Sequence, residues 1–488
     1  MTEPAPRGRR AWTRVDTIAV AAVTLAAGVL RFARLGDPRS IMFDETYYAR
    51  DACWYALASE STCGIAGEEN YVHPPLGKWL IGAGIDLFGY DAFGWRVAAA
   101  LAGTVTVALL YVLARRVLGS TVGAAFASGL LAIDLLHFVQ SRIAMLDVFV
   151  AAFGVAAFSC AVLDRDRDGG RRRWARPWAG AAGACAGAAF ASKWSGALVL
   201  AGVVLLVVAW EVSARRDDGG GAPLRRTLTE AGPWLALWLV AVPLAVYVAS
   251  YAARLDGAVW ALPWSDDSWW RALWDRQVEM YSSHRGLSSA SHRYQSPPWS
   301  WPLLRRPVSY FFETAPNGDY LEVLATGSPF VWWSSLLALA YAAWRWTRVR
   351  TWRSAEAVVV AGFAVSYAPW LVLAAGRGAV FIFYLLPAVP FMCLALGYVA
   401  ARIGSSWEAR AAQVVFAAAA VGMFGFYYPL VAKEPLPRAA WEARIWIFDD
   451  CDPVARERQT TVETSDGATV TRTEDDAADR PTDGWCWI

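Results

Sequence analysis

The stretch Ile41–Arg50, IMFDETYYAR, sets two carboxylates side by side, Asp44 and Glu45, just past the first long apolar run of the chain. Phe43, Tyr47 and Tyr48 flank them. A carboxylate held against apolar surface is disfavoured in its charged form, so its pKa rises and it becomes a better proton acceptor near neutral pH. The chemistry that would suit such a residue is deprotonation of an acceptor hydroxyl at a membrane surface. Two solvated acids at the end of a loop would look the same in sequence.

Further candidates follow along the chain. In YVHPPLGKWLIGAGIDLFG, Pro74-Pro75 interrupts any preceding helix, and the apolar spacing after it predicts a short helix lying at the membrane interface, with His73 at its entry and Lys78 one turn in. An anchor with a snorkelling lysine is the plain reading of that segment. Arg96, Arg142, Lys193 and Arg377 stand at the ends of apolar runs. A cation near a bilayer needs a partner, and a lipid phosphate is a natural one, gripped by Arg in a bidentate manner. Headgroup contact or an ion pair within the protein are the other readings, and Asp147, inside the apolar segment after Arg142, supplies one such partner. The segment SSASHRYQSPPWSWPLLRRPVSYFFE gathers His292, Tyr294, Trp299 and Trp301. Aromatic rings of this kind serve as platforms for sugar rings, and equally as an interfacial belt.

These residues need elements to position them. Hydrophobic residues make up 56% of the 488 and charged residues only 18%. Apolar runs at roughly 16–35, 95–113, 118–136, 143–163, 177–192, 194–213, 232–252, 327–346, 354–374, 380–402 and 410–430 have the length and composition of membrane spans. The expected fold is therefore an all-α polytopic membrane protein with about eleven transmembrane helices. No small-residue cleavage site stands out after the first run, which reads as an uncleaved span. Arginine clusters recur at every second connection: at the N-terminus, at Arg115-Arg116, and in DRDRDGGRRRWAR, ARRDDGGGAPLRR, RWTRVRTWR and ARIGSSWEAR. The positive-inside rule places those connections and the N-terminus in the cytoplasm and the C-terminus outside. Residues 1–430 then form the membrane domain, with outer loops at 37–94 and 253–326, and 431–488 form an extracytoplasmic tail.

Cysteine usage agrees with that topology. Cys53 and Cys63 share the first outer loop, and Cys451 and Cys486 share the tail. An even count in each oxidising segment permits the disulfides Cys53–Cys63 and Cys451–Cys486. The tail bridge would stabilise its loop by roughly 3–4 kcal/mol. Within it, TTVETSDGATVTRT alternates about Asp466-Gly467 as a hairpin. No Walker loop, dinucleotide-binding glycine motif or HExxH is present, and the DRDRD run at 164–168 reads as a solvated charge cluster. The scattered histidines make no metal site; no cofactor is expected, a divalent metal is not required by the sequence, and nothing points to nucleic acid.

The motifs FDETYYARDA, HPPLGKWLI, FGWRVAAALAGTVTVALLY, RIAMLDVFV, SKWSGALVL, HRYQSPPWSWPLLRRPV and YLLPAVPF occur in that order. Together they resemble the bacterial branch of the dolichyl- or polyprenyl-phosphate-mannose protein O-mannosyltransferases, of the C-type glycosyltransferase superfamily. The Arg/Ala-rich composition is similar to that of actinobacterial members. The resemblance implies a multi-pass protein of the cytoplasmic membrane with an extracytoplasmic active site. It implies transfer of mannose from polyprenyl-phosphate-mannose to Ser or Thr of exported proteins, with inversion. Asp44 matches the family's base and Glu45 its partner; Arg96, Lys193 and Arg377 match basic residues suited to the donor phosphate, and Arg142 and Asp147 match a further motif. Implied partners are the lipid donor, Ser/Thr-rich exported acceptors, membrane lipid and a link to the secretion machinery. The 253–326 loop is too short for the β-trefoil domain that eukaryotic members carry there. The competing expectations are another polyprenyl-phosphate-sugar transferase with a lipid or polysaccharide acceptor, a transporter, which would show internal repeats and a polar site at mid-membrane, and a structural membrane subunit with no catalysis.

Overall fold

A computed structural model describes residues 11–57, 59–64, 72–167, 176–217, 219, 221–252, 268–286, 292, 294–374, 378–445, 458–463 and 469–474. Among the described residues, eight helices are long and apolar enough to cross a membrane. In chain order the first part of the molecule is α1 (Arg14–Phe32), α2 (Glu45–Leu57), α3 (Leu76–Phe88), α4 (Ala92–Leu118), α5 (Thr121–Ala132), α6 (Leu135–Gln140), α7 (Asp147–Arg167), α8 (Pro177–Ser192), α9 (Gly196–Asp217) and α10 (Pro223–Ala249). The second part is α11 (Trp269–Gly286), the strands β1 (Val308–Thr314) and β2 (Tyr320–Ala325), then α12 (Pro329–Val349), α13 (Ala355–Leu373), α14 (Ile382–Arg402), α15 (Trp407–Val431) and α16 (Arg438–Ile445).

One of the expected spans comes out differently. The 118–136 run stops at Ala132, because Asp134 caps a new short helix by accepting from the His137 amide at 2.9 Å. The 177–192 run is a helix over those same residues, Pro177–Ser192. The 327–346 run is a 21-residue helix whose last turns, Trp344-Arg345-Trp346-Thr347-Arg348, are polar and aromatic. In α10, two wide turns at Thr227–Ala231 and Leu237–Ala241 precede Pro233 and Pro243, where a missing N–H would break the regular hydrogen-bond ladder.

The Arg-rich ends of the helices are pinned by ion pairs. Asp16 accepts from Arg115 Nε at 2.8 Å, from Thr121 at 2.7 Å and from Tyr111 at 3.1 Å, joining α1 to α4 and α5. Arg176 binds Asp164 and, at 3.0 Å, Glu211. Glu356 accepts from Arg402 at 2.7 Å and Tyr398 at 2.5 Å. Within the core, α5 and α14 approach backbone to backbone. A Cβ on Gly123 would lie 2.8 Å from the Gly397 carbonyl, and one on Gly397 2.5 Å from the Gly123 carbonyl; only glycine fits at either position.

At the opposite end, α2 and α3 pack together, and the disulfide Cys53–Cys63 closes the segment after α2. In α3 the lysine is not a snorkelling anchor. Lys78 is fully buried and pairs with Asp51 of α2 at 2.8 Å, so its ammonium has a counter-charge inside the protein and does not snorkel. The 253–326 segment holds structure beyond the all-α expectation. There α11 exposes Trp270, Trp274, Val278 and Tyr281 along one face, while β1 and β2 pair antiparallel from Val308↔Ala325 to Thr314↔Tyr320. Their connection turns at Asn317-Gly318, with Gly318 at φ +85. In the tail, Arg458–Glu463 pairs antiparallel with Thr469–Glu474, from Arg458↔Glu474 to Glu463↔Thr469, as the alternation on either side of Asp466-Gly467 predicts. Cys451 and Cys486 lie outside the described residues.

Candidate active site

The two neighbouring acids of the opening motif occupy opposite environments. The first turn of α2 begins at Asp44, whose carbonyl accepts from the Tyr47 amide at 3.0 Å and the Tyr48 amide at 3.1 Å. Helical periodicity then turns the two side chains apart. Glu45 is fully buried and saturated. Arg96 of α4 grips it through Nε at 2.7 Å and Nη2 at 2.8 Å, and the amides of Met42 and Ala144 each donate at 2.9 Å. Arg96 completes its own set with the carbonyls of Pro38 at 2.6 Å and Ser40 at 2.9 Å. One carboxylate thus locks the loop before α2, the start of α4 and the turn before α7 into a single frame.

Asp44 is half-buried, and no hydrogen bond or ion pair engages its carboxylate among the described residues. Desolvation pushes its pKa up to about 6; the nearby Lys193 ammonium works against the rise and the Asp147 carboxylate adds to it. Its position is held by Phe43, whose backbone sits at φ 45, a left-handed conformation that costs a bulky residue about 1–3 kcal/mol. The cost is offset by packing: the Phe43 ring meets Tyr310 at 4.9 Å, Phe383 at 6.0 Å, His292 at 6.1 Å, Phe381 at 6.2 Å and Tyr294 at 6.5 Å between centroids.

Facing Asp44 is a cation. Lys193 ends α8 and donates to both oxygens of Asp147, at 2.8 and 3.0 Å. Its ammonium stands 4.6 Å from the centre of the Tyr384 ring and 5.8 Å from that of Phe383. The Tyr48 hydroxyl is pushed well above its ordinary pKa by burial and by the Asp44 and Asp147 charges, so it stays a neutral hydrogen-bonding group at any physiological pH. His73 lies beside Tyr48 and His284, with ring centroids 5.9 and 5.6 Å away, and His284 stacks on Trp194 at 5.3 Å. An unpaired carboxylate, a buried cation and aromatic walls thus converge at one end of the helix bundle. No group of three or more His, Cys, Asp or Glu suited to a metal ion occurs among the described residues.

Residues 91–256 match the family described as dolichyl-phosphate-mannose-protein mannosyltransferase, and residues 269–449 match the C-terminal four TMM region of protein-O-mannosyltransferase. The polyprenol-phosphate-mannose–protein mannosyltransferase of Mycobacterium tuberculosis is 32% identical over 481 residues, covering 87% of this chain and 90% of that protein. The chain belongs to the protein O-mannosyltransferase family. The correspondingly named protein of Corynebacterium glutamicum is 29% identical, covering 89% of this chain and 94% of its own. The solved structure of the Saccharomyces cerevisiae protein O-mannosyltransferase Pmt1-Pmt2 complex bound to the sugar donor superposes with a TM-score of 0.73 at 16% identity, covering 90% of this chain and 93% of that one. ArnT from Cupriavidus metallidurans bound to undecaprenyl phosphate superposes at 0.52, with 20% identity over 88% of this chain and 68% of that chain. The chain is accordingly a multi-pass membrane glycosyltransferase of the C-type fold.

Within this mannosyltransferase the expected site residues separate into groups. Asp44, Lys193, Asp147, His73, His292 and Tyr294 come together around the α2 start. Arg96 does not join them as a phosphate holder, because its guanidinium is committed to Glu45 and to backbone carbonyls. Arg142 is likewise committed, donating to the carbonyls of Leu30, Arg31, Ala33 and Arg34 where α1 ends. Asp147, expected as a partner for Arg142, pairs with Lys193 instead. Trp299 is 54% exposed, with Arg305 over its ring at 5.6 Å, away from the aromatic cluster. Arg377 lies outside the described residues. Sequence reasoning passed over Gln140, Tyr310, Tyr384 and His284. Tyr310 stood in the quoted PVSYFFE run, and Gln140 stands just ahead of Arg142 in QSRIAMLD, so the segments were visible though the side chains were not singled out.

Proposed function

We propose that this enzyme transfers mannose from polyprenyl-phosphate-mannose to Ser or Thr hydroxyls of exported proteins, at the outer face of the cytoplasmic membrane. The observation that carries the reading is the Asp44 carboxylate, unpaired and shifted toward neutrality beside a buried lysine. The lipid phosphate docks near Lys193. An ammonium has three donors, and with Asp147 retained as counter-charge one N–H remains for a phosphate oxygen. Arg377 is a second phosphate contact in this scheme. The acceptor oxygen attacks C1 of the sugar from the face opposite the phosphate. The new C1–O bond forms as the C1–O bond to phosphate breaks, the leaving electron pair stays on the phosphate, and Asp44 takes the hydroxyl proton. Inversion follows from this in-line geometry. Charge developing on the phosphate is met by a preplaced cation in a dry site, where such stabilisation is strong.

Membranes carrying the enzyme, supplied with radiolabelled polyprenyl-phosphate-mannose and a Ser/Thr-rich peptide, should yield labelled peptide whose sugar is released by β-elimination. Label recovered only in lipid or polysaccharide would contradict the protein acceptor while keeping the donor.

A further inference from the structure

We propose that Gln140 and Tyr310 together form a recognition site for one hydroxyl of the sugar being transferred; this rests on the glycosyl-transfer reading above. Gln140 closes α6 and is fully buried, and its Nε2 donates to the Tyr310 hydroxyl at 2.5 Å. Its Oε1 is buried with no hydrogen-bond partner, and no acceptor receives the Tyr310 hydroxyl proton among the described residues. Buried polar atoms are rarely left in that state, and an unmatched one calls for a partner from outside the protein.

The pair is placed where a sugar must sit. The Tyr310 ring packs on Phe43 at 4.9 Å, directly before Asp44, and lies 6.0 Å from Phe383, the ring beside Lys193. Its hydroxyl is within electrostatic reach of Asp147 and Asp44. A sugar held between the Asp44 base and a phosphate on Lys193 would have this pair at its flank.

The hydrogen-bonding inventory selects a hydroxyl. With the amide as placed, Tyr310 has a proton to give and Gln140 Oε1 accepts. With the amide turned over, Tyr310 donates to the carboxamide oxygen, leaving a Tyr310 lone pair to accept and the amide N–H to give. In either orientation the pair presents both a donor and an acceptor, the complement of a single alcohol O–H. An apolar group or a carboxylate would leave one of the two unmatched.

The test compares polyprenyl-phosphate-mannose with its monodeoxy analogues, each lacking one ring hydroxyl, as donors for wild type, Tyr310→Phe and Gln140→Leu. Tyr310→Phe keeps the ring that packs on Phe43. Wild type should disfavour one analogue in kcat/KM by about 10- to 100-fold relative to mannose, the scale for a buried polar site left unmatched. Tyr310→Phe should lower mannose transfer by a similar factor and close the gap for that analogue alone, and Gln140→Leu should do the same. Equal losses across all donors with the gap intact, or no loss in either variant, would overturn the inference and leave a buried water as the partner. Failure of wild type to use polyprenyl-phosphate-mannose itself is visible without any variant, and would end the parent reading and this inference together.

Discussion

Carboxylates at the two ends of the helix bundle are treated differently. At the Arg-rich end, Asp16, Asp164, Glu211 and Glu356 each contact an arginine. At the opposite end Glu45, Asp51 and Asp147 are paired in the same way, with Arg96, Lys78 and Lys193, but Asp44 and Glu322 form no ion pair among the described residues. A buried ion pair is weak evidence of net stability, yet removing one partner is strongly destabilising. The paired acids therefore work as clamps that fix helices against one another. An acid left without an ion pair in a desolvated place is held in a state that favours taking up a proton, which is the property a base requires.

The largest effect on folding is expected where a clamp is broken. Arg96→Met leaves Glu45 as an uncompensated buried charge and should cost about 3–5 kcal/mol of stability, read as loss of monodisperse protein after detergent extraction. Adding Glu45→Gln in the same chain should recover much of it. If the single variant behaves like wild type, the clamp assignment is wrong.

Lys193 both clamps Asp147 and faces Asp44. Lys193→Ala alone should impair folding and donor use together. The double variant Lys193→Ala/Asp147→Asn removes both charges; its fold should recover while the donor KM stays raised by tenfold or more, about 1.4 kcal/mol. Normal donor KM in a folded double variant would remove Lys193 from the phosphate site. A smaller effect belongs to the disulfide: Cys53→Ser/Cys63→Ser should lower stability by about 2–3 kcal/mol for so short a loop, seen as an earlier thermal transition without a change in the donor KM.

Glu322 on β2 provides the mildest test and a pH signature. Burial pushes its carboxyl up to about 7, opposed by the Trp441 indole N–H, which donates to it at 2.7 Å. A pKa raised in the folded state means that folding binds a proton. The stability linked to this group is therefore present at low pH and is lost as pH rises from about 4.5 through 7. Glu322→Gln should raise the melting temperature at pH 8 and leave it nearly unchanged at pH 5. The same shift at both pH values would show that packing, not titration, is responsible.

Much of this plan was legible in the residue string, and the rest for physical reasons was not. Asp44 and Glu45 stood out because an acid pair past an apolar run is unusual whatever the fold. Which of the two is clamped depends on Arg96, 51 residues on in the chain, and pairing at that separation leaves no local trace. The same holds for Arg142 and Lys193: both read as cations at span ends, and only packing sends one to the carbonyls that end α1 and the other to Asp147. Lys78 looked like a snorkelling anchor because its partner Asp51 belongs to another helix. The β1–β2 hairpin did carry a local sign, Asn317-Gly318 between runs of Phe, Tyr, Val and Leu, overshadowed by the aromatic residues ahead of it. The early end of α5 was also written locally, in the capping Asp134, inside a run whose overall hydrophobicity suggested a longer helix.

Whether Asp44 is the base is decided by transfer in the Asp44→Asn variant. Purified wild type and variant, matched for melting temperature and for donor binding, would be assayed for mannose transfer to peptide across pH 5 to 8. Asn keeps the shape and removes a charge that the folded state disfavours, so folding should be unchanged or slightly improved. Wild-type rates should climb with pH through a midpoint near 6. The variant should fall by about 10²–10⁴-fold at pH 7.5 and lose that midpoint. Transfer by a folded Asp44→Asn enzyme at near-wild-type rate, with the same pH midpoint, would contradict Asp44 as the base.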